Sequence, residues 1–324
     1  MDILISLSVH PVWMTDIAKK ARKRWGRKYV DNRNWPAYNE QLVRRGMYYL
    51  DLDWVMSWDV ELQSMNRNKR GRPYAFPNSL IQLQSVWHDK NMPVRMVEGI
   101  TRRLFMMAEL PYYNDYTTIH RRINQLSFKM DIPVGDDIML FCDGSGFQAI
   151  NGGEYLREKY GKKNRRWIQV IILGDPVTKE PVSFEVHLSP TSESESAKRQ
   201  LRSFIDRDVD ISKFGGDGAF DDRSLWRFLE SNGIDAAIKP DVNARDDGPC
   251  RLRNRHVKMR NNAGYKRWAR VNEYGRRWPA TEGIFSAVKR MFGEHLAAKS
   301  ERGMIQEASS KMFSYFVLKR YGEA

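Results

Sequence analysis

Cysteine is nearly absent from this chain: its 324 residues include two, Cys142 and Cys250, and neither has a Cys or His neighbour at ligand spacing. That excludes a disulfide scaffold and a zinc module and points to a reducing compartment. Long apolar runs are also missing. Residues 3–9 (ILISLSV) have no basic stretch before them and are too few to span a bilayer, so the reading is a cytoplasmic protein with no membrane partner. Negative charge is scarce, with 40 Asp and Glu against 54 Lys and Arg and a formal net charge of +14. Such a surplus asks for an anionic partner. Aromatic rings, in contrast, are plentiful. Ten Trp, fourteen Tyr and fourteen Phe argue for packed domains rather than a disordered polycation.

Residues 1–71 read as a basic N-terminal region and linker. They include seven Lys/Arg and no acid at 19–28, then Pro/Tyr/Trp-rich sequence, then the basic punctuation Asn66-Arg-Asn-Lys-Arg-Gly-Arg-Pro73. Residues 72–131 read as three helices. Pro77 opens the first, with Leu80, Ile81, Leu83, Val86 and Trp87 at helical spacing. Asn91-Met-Pro93 breaks it and starts the second (Val94, Val97, Ile100, Leu104). Asp115 offers an N-cap for the third, over 119–126. A short basic helix after a turn, carrying Arg121, Arg122, Asn124 and Gln125, has the form of a helix-turn-helix recognition element. The plainer alternative is an ordinary helical bundle.

From residue 137 the pattern changes. Ile138–Cys142, Trp167–Leu173 and Val182–Leu188 read as strands, the last two joined as a hairpin by a loop at 174–180. A helix follows at Ser194–Ile205, then a short strand at Phe214, a helix at Ser224–Leu229 capped by Asp221/Asp222, and a strand at Ala236–Ile238. A helix bearing Glu282 comes next, and an amphipathic helix at 304–321 closes the chain, its Met and aromatic stripe reading as core. The fold class is therefore α/β: residues 132–324 form a ribonuclease-H-like mixed sheet with flanking helices, preceded by the all-α region. Residues 241–270, with nine Lys/Arg against three Asp and no apolar periodicity, read as a mobile basic loop.

Three acids carry the chemistry. Asp143 ends an apolar run, Asp217 lies between glycines in Gly216-Asp217-Gly218, and Glu282 begins a helix. Three carboxylates in a basic chain suit two hard cations acting on a nucleic-acid phosphate: the ions activate an oxygen nucleophile and stabilise the leaving 3′ oxygen. Lys289 follows Glu282 by seven residues, about two helical turns, so both project from one face and Lys289 is placed to hold a phosphate beside the metals.

At these residues the sequence resembles bacterial and archaeal insertion-sequence transposases of the DDE class, of the IS-five type. The matches are Asp143-Gly144-Ser145-Gly146, Asp217-Gly-Ala-Phe220-Asp221-Asp222, and Glu282 with Phe285, Lys289, Phe292 and Gly293. Weaker matches upstream, at Asn34-Trp35 through Arg45-Gly46 and at Asp115 through Arg122, extend the likeness over roughly residues 34–320. Gly144 stands where such proteins usually carry Ser. Of their Tyr-Arg-Glu-Lys signature, Tyr274 and Arg277 keep the first gap, but four residues separate Arg277 from Glu282 where three are usual, so Arg276 and Arg277 are both candidates. The resemblance implies a transposase that binds terminal inverted repeats, cuts 3′ ends and joins them to target DNA. Asp143, Asp217 and Glu282 would hold two Mg²⁺ ions, with Mn²⁺ as substitute. Tyr274, Arg276, Arg277, Lys289 and Arg290 would contact DNA near the cut, with Arg121 and Arg122 on the recognition helix. A homodimer or larger assembly on double-stranded DNA, at the nucleoid, is implied as well. The rivals are a catalytically silent DNA-binding protein, decayed or domesticated, and a structure-specific nuclease on the same fold.

Overall fold

The computed structural model describes residues 33–133, 135, 137–149 and 167–324; the runs at 3–9 and 19–28 lie outside the described residues. The chain divides into two compact units, 1–39 and 40–324, with the division inside the first helix, α1 (Trp35–Met47). In the first unit Arg33 lies over the rings of Trp35 and Tyr38, 5.0 Å from each centroid. The remaining elements belong to the second unit.

The basic run 67–73, expected as a linker, is free of helix, whereas the aromatic-rich stretch before it is helical: α2 (Asp53–Met56) and α3 (Trp58–Asn66) follow α1. The aromatic residues explain this, since Trp54 is buried and its ring stacks on Phe105 at 5.4 Å. Helices α4 (Asn78–Asp89), α5 (Val94–Met107) and α6 (Tyr116–Ile123) match the three read from spacing. Pro77 and Pro93 each stand just before a helix, where the fixed φ starts the turn and no amide is lost. Asp115 caps α6 by accepting the Thr118 amide at 2.6 Å.

The sheet contains β1 (Ile138–Ala149), β2 (Trp167–Gly174), β3 (Pro181–His187), β4 (Ile211–Gly216), β5 (Asp235–Ile238) and β6 (His295–Leu296). Its order is β3-β2-β1-β4-β5, with β6 pairing the far end of β1. β1, β2 and β3 are antiparallel, whereas β4 and β5 run parallel to β1. This mixed arrangement is the ribonuclease-H-like one expected from the element order. One detail differs: β1 does not stop at Asp143. Gly144, Ser145 and Gly146 keep their pairing with Ile171, Val170 and Gln169, so Asp143 sits in mid-strand.

Each face of the sheet is covered. Leu140, Cys142, Ile171 and Leu173 face α7 (Glu193–Ile205) and α8 (Arg223–Ser231), which contribute Ala197, Leu201, Leu225 and Trp226. Phe147, Ile168, Val170 and Ile172 face the other way, into a core shared with α4–α6, α12 (Glu282–Phe292) and α13 (Glu301–Glu323). The helical region and the sheet therefore share one apolar interior, and Met304, Ala308 and Met312 of α13 pack within it as expected.

The basic segment 241–270 is the main departure from expectation. It is largely helical, as α9 (Arg251–Ala263) and α10 (Tyr265–Val271). Few side chains anchor it. His256, Val257 and Trp268 are buried, and Arg253 makes a bidentate ion pair with Asp221 at 2.7 and 2.8 Å. Asp221 is thus the anchor of α9, and Asp222 alone caps α8, accepting the Ser224 and Leu225 amides.

Candidate active site

The three acids are carried by three separate elements. In the parallel pair β1–β4, Phe141 stands opposite Gly215, and Asp217 follows just past the end of β4, close enough for its charge to act on Asp143. Asp217 folds back to accept the Ala219 amide at 2.8 Å, which fixes the turn after β4. Glu282 comes in on α12, preceded by the single turn α11 (Arg277–Ala280). That turn rests on bare backbone: a Cβ at Gly174 of β2 would collide with the Ala280 carbonyl oxygen. Glycine at 174 thus allows the approach that delivers Glu282.

Arg277 ties the cluster together. Its guanidinium donates to the Asp143 carboxylate at 3.4 Å and to Glu282 at 2.6 Å, and lies 5.7 Å from the centre of the Tyr274 ring. Burial pushes the Asp143 carboxyl above its ordinary range. Arg277 and the Gly144 amide pull it down, while the charges of Asp217 and Glu282 push it up again. Asp143 thus feels the charge of both other acids. Among the described residues no three metal-ligating side chains close around a single point, and the Arg277 guanidinium is what stands between Asp143 and Glu282. An all-carboxylate donor set fits a hard divalent cation, and a bound guanidinium is a fitting stand-in for that positive charge.

A fourth carboxylate, not read from the sequence, belongs to this site. Glu193 opens α7, and its oxygen fills the space that a Cβ at Gly144 would take, next to Asp143. Gln169 donates to it at 3.2 Å. Its carboxyl is pushed up, chiefly by burial and then by the charges of Asp143 and Asp217. The sequence signal was Gly144 itself, where the resemblance leads one to expect Ser; a side chain there would require the Glu193 carboxylate to move.

The predicted DNA-contacting residues separate into groups. Lys289 of α12 lies over Phe147 of β1 at 5.5 Å, so the helix runs alongside the strand that bears Asp143, while Glu282 is exposed. Arg290 is exposed and bonds Ser286 on its own helix. Tyr274 packs at 5.3 Å from Trp268, and burial raises its phenol pKa. Arg276 turns away to pair with Glu273 at 3.0 Å, which leaves Arg277 as the arginine at the carboxylates. On α6, Arg121 is exposed but Arg122 is not. The Arg122 guanidinium donates to the Phe76 carbonyl (3.0 Å) and to Asn78 (2.8 Å) and lies over the Tyr74 ring. This corrects its reading as a DNA contact: the helix turns that position inward, and its donors are used in holding α4.

Two family models described as "Transposase DDE domain" match the chain, one over residues 43–152 and one over 135–317. No curated protein matches it. Among solved structures, it is similar to a piggyBac transposase synaptic complex with hairpin DNA at 10% identity, over 87% of this chain and 78% of that one, with a TM-score of 0.36. It is also similar to the Mos1 transposase paired-end complex with left transposon end at 10% identity, over 78% of this chain and 81% of that one, with a TM-score of 0.23. The second model alone spans the sheet strands, Asp143, Asp217, Glu282 and Lys289.

Proposed function

The chain belongs to the DDE transposase family, and from that premise we propose that it binds the terminal inverted repeats of its element, cuts their 3′ ends and joins them to target DNA. The observation that supports this reading is the Arg277 guanidinium bonded to both Asp143 and Glu282, with the charge of Asp217 close enough to act on Asp143. These carboxylates would hold two Mg²⁺ ions, or Mn²⁺ in their place. Bound there, the ions would activate the oxygen nucleophile and stabilise the leaving 3′ oxygen.

The chain's own side chains do the rest. Asp143, fixed in mid-strand, and Asp217, fixed by its turn, keep their separation while α12 brings Glu282 to them. With the carboxylates committed to the ions, the Arg277 guanidinium would be free to hold a phosphate oxygen, with Tyr274 supporting its position. Lys289 holds the next phosphate along the strand. Hydrolysis splits a P–O bond and leaves a free 3′ hydroxyl; in the second step that hydroxyl attacks a target phosphate and the target 3′ oxygen departs. Residues 72–131 supply duplex recognition from within the same core that supports the sheet. Two element ends would each need such a centre, so a homodimer or larger assembly would form on DNA.

Labelled terminal-repeat duplexes with Mg²⁺ test this. Wild type is expected to release 3′ ends and join them to a plasmid, while Asp143→Asn, Asp217→Asn and Glu282→Gln bind the duplex but do neither. Cleavage without joining would replace transposition by a structure-specific nuclease.

A further inference from the structure

A cleft of 720 Å³ lies between the exposed side of α6 and the turn that joins β6 to α13. Arg121, Asn124 and Gln125 line one wall; Lys299, Ser300 and Arg302 line the other. Two acids also border it, and both are engaged inward. Asp89 is buried and accepts hydroxyls from Ser310 and Ser314 at 2.7 and 2.6 Å. Glu307 accepts the Ala297 and Ala298 amides at 3.1 and 2.9 Å and pairs with Lys311. Arg121, Lys299 and Arg302 are exposed, and among the described residues none of them pairs with a carboxylate. The walls are also fixed to each other. Gln306 of α13 donates to the Ile123 and Leu126 carbonyls at the end of α6, at 2.8 and 3.0 Å.

We infer that this cleft is a docking site for one sugar–phosphate strand of duplex DNA, with Lys299 and Arg302 contacting phosphates opposite Arg121. Cations left without acid partners on two rigidly joined walls suit a polyanion that arrives preformed. The inference rests on the DNA-binding reading above and adds residues that reading did not contain. It also couples α6 to the catalytic half, because Lys299 and Arg302 follow directly on the strand and helix that support Lys289.

Fluorescence anisotropy with a short labelled duplex, over a salt series around 0.1 M, tests it on the full chain. Removing two phosphate contacts in Lys299→Ala/Arg302→Ala should weaken binding about ten-fold or more and flatten the log–log salt slope by about 1.8. Arg121→Ala should flatten it by about 0.9. Arg207→Ala/Arg227→Ala, which removes two exposed arginines from the α7–α8 side of the sheet, should change the slope little. All three side chains in the cleft are exposed, so melting temperatures should stay at the wild-type value and report an intact fold. An unchanged slope in Lys299→Ala/Arg302→Ala, or an equal change in the Arg207/Arg227 control, overturns the cleft while leaving the transposase reading intact. Absence of duplex binding by wild type would instead remove the reading on which the cleft depends.

Discussion

The carboxylate cluster on β1 and the cleft beside α6 carry opposite charge and manage it in opposite ways. At β1 the acids converge until burial and mutual repulsion push Asp143 and Glu193 upward, with Arg277 as the cation bonded directly to Asp143 and Glu282. At the cleft the acids Asp89 and Glu307 are turned into the protein and the cations are left facing solvent. In neither place does the raw number of charges indicate a ligand; what indicates it is charge the protein has left unmatched. On the proposed reading, the first region would take metal cations and the second phosphate.

The sharpest way to break the comparison is to remove charge from the carboxylate cluster. Asp143→Asn should reduce cleavage and joining to background while duplex affinity stays near wild type, because affinity resides in the basic surfaces; robust cleavage by this variant would take Asp143 out of the site. Lys289→Ala removes one charge-assisted phosphate contact, worth about 1.5–3 kcal/mol, and should slow single-turnover cleavage by roughly ten- to a hundred-fold. Raising DNA concentration should restore part of that loss.

Arg122→Ala sharpens the contrast between stability and binding. Loss of its inward hydrogen bonds should cost about 1–3 kcal/mol of stability and lower the melting temperature, with the salt slope of DNA binding unchanged. A changed slope with an unchanged melting point would return Arg122 to the DNA surface. The smallest effect is expected at Glu193. Its carboxyl is raised in the folded state, so its stabilising contribution is complete below the ordinary carboxylate range and is lost as pH climbs through the raised value. Without divalent ions Glu193→Gln should therefore melt above wild type at neutral pH, and the gap should close on acidification. A gap independent of pH would mean that Glu193 does not share the site's charge.

Much of this was legible in the sequence because its signals are local. Apolar runs marked β1, β2 and β3, and prolines marked the starts of α4 and α5. What escaped depends on distant partners. Residues 251–271 looked like loop because three buried side chains are scattered among arginines and the main anchor, Asp221, lies some thirty residues back in the chain. Arg121 and Arg122 are adjacent and alike, and only the packing of α6 on α4 shows which one faces solvent. Arg276 and Arg277 are separated in the same way, one by Glu273 and the other by Asp143. Glu193 read as an ordinary helix start, since no spacing rule links it to Gly144 across two strands.

The contact at Gly174 bears on how copies of such a gene lose function. A single methyl group there would meet the Ala280 carbonyl and lever α11 and the start of α12 off the sheet, taking Arg277 and Glu282 with them while Asp143 and Asp217 stay in place. All three acidic codons would survive in that copy, and a survey that scored only those codons would count it as active. Position 174, on a strand that bears none of the three acids, is therefore a place where inactivating drift can hide, and a glycine there is as informative about a living copy as the acids themselves.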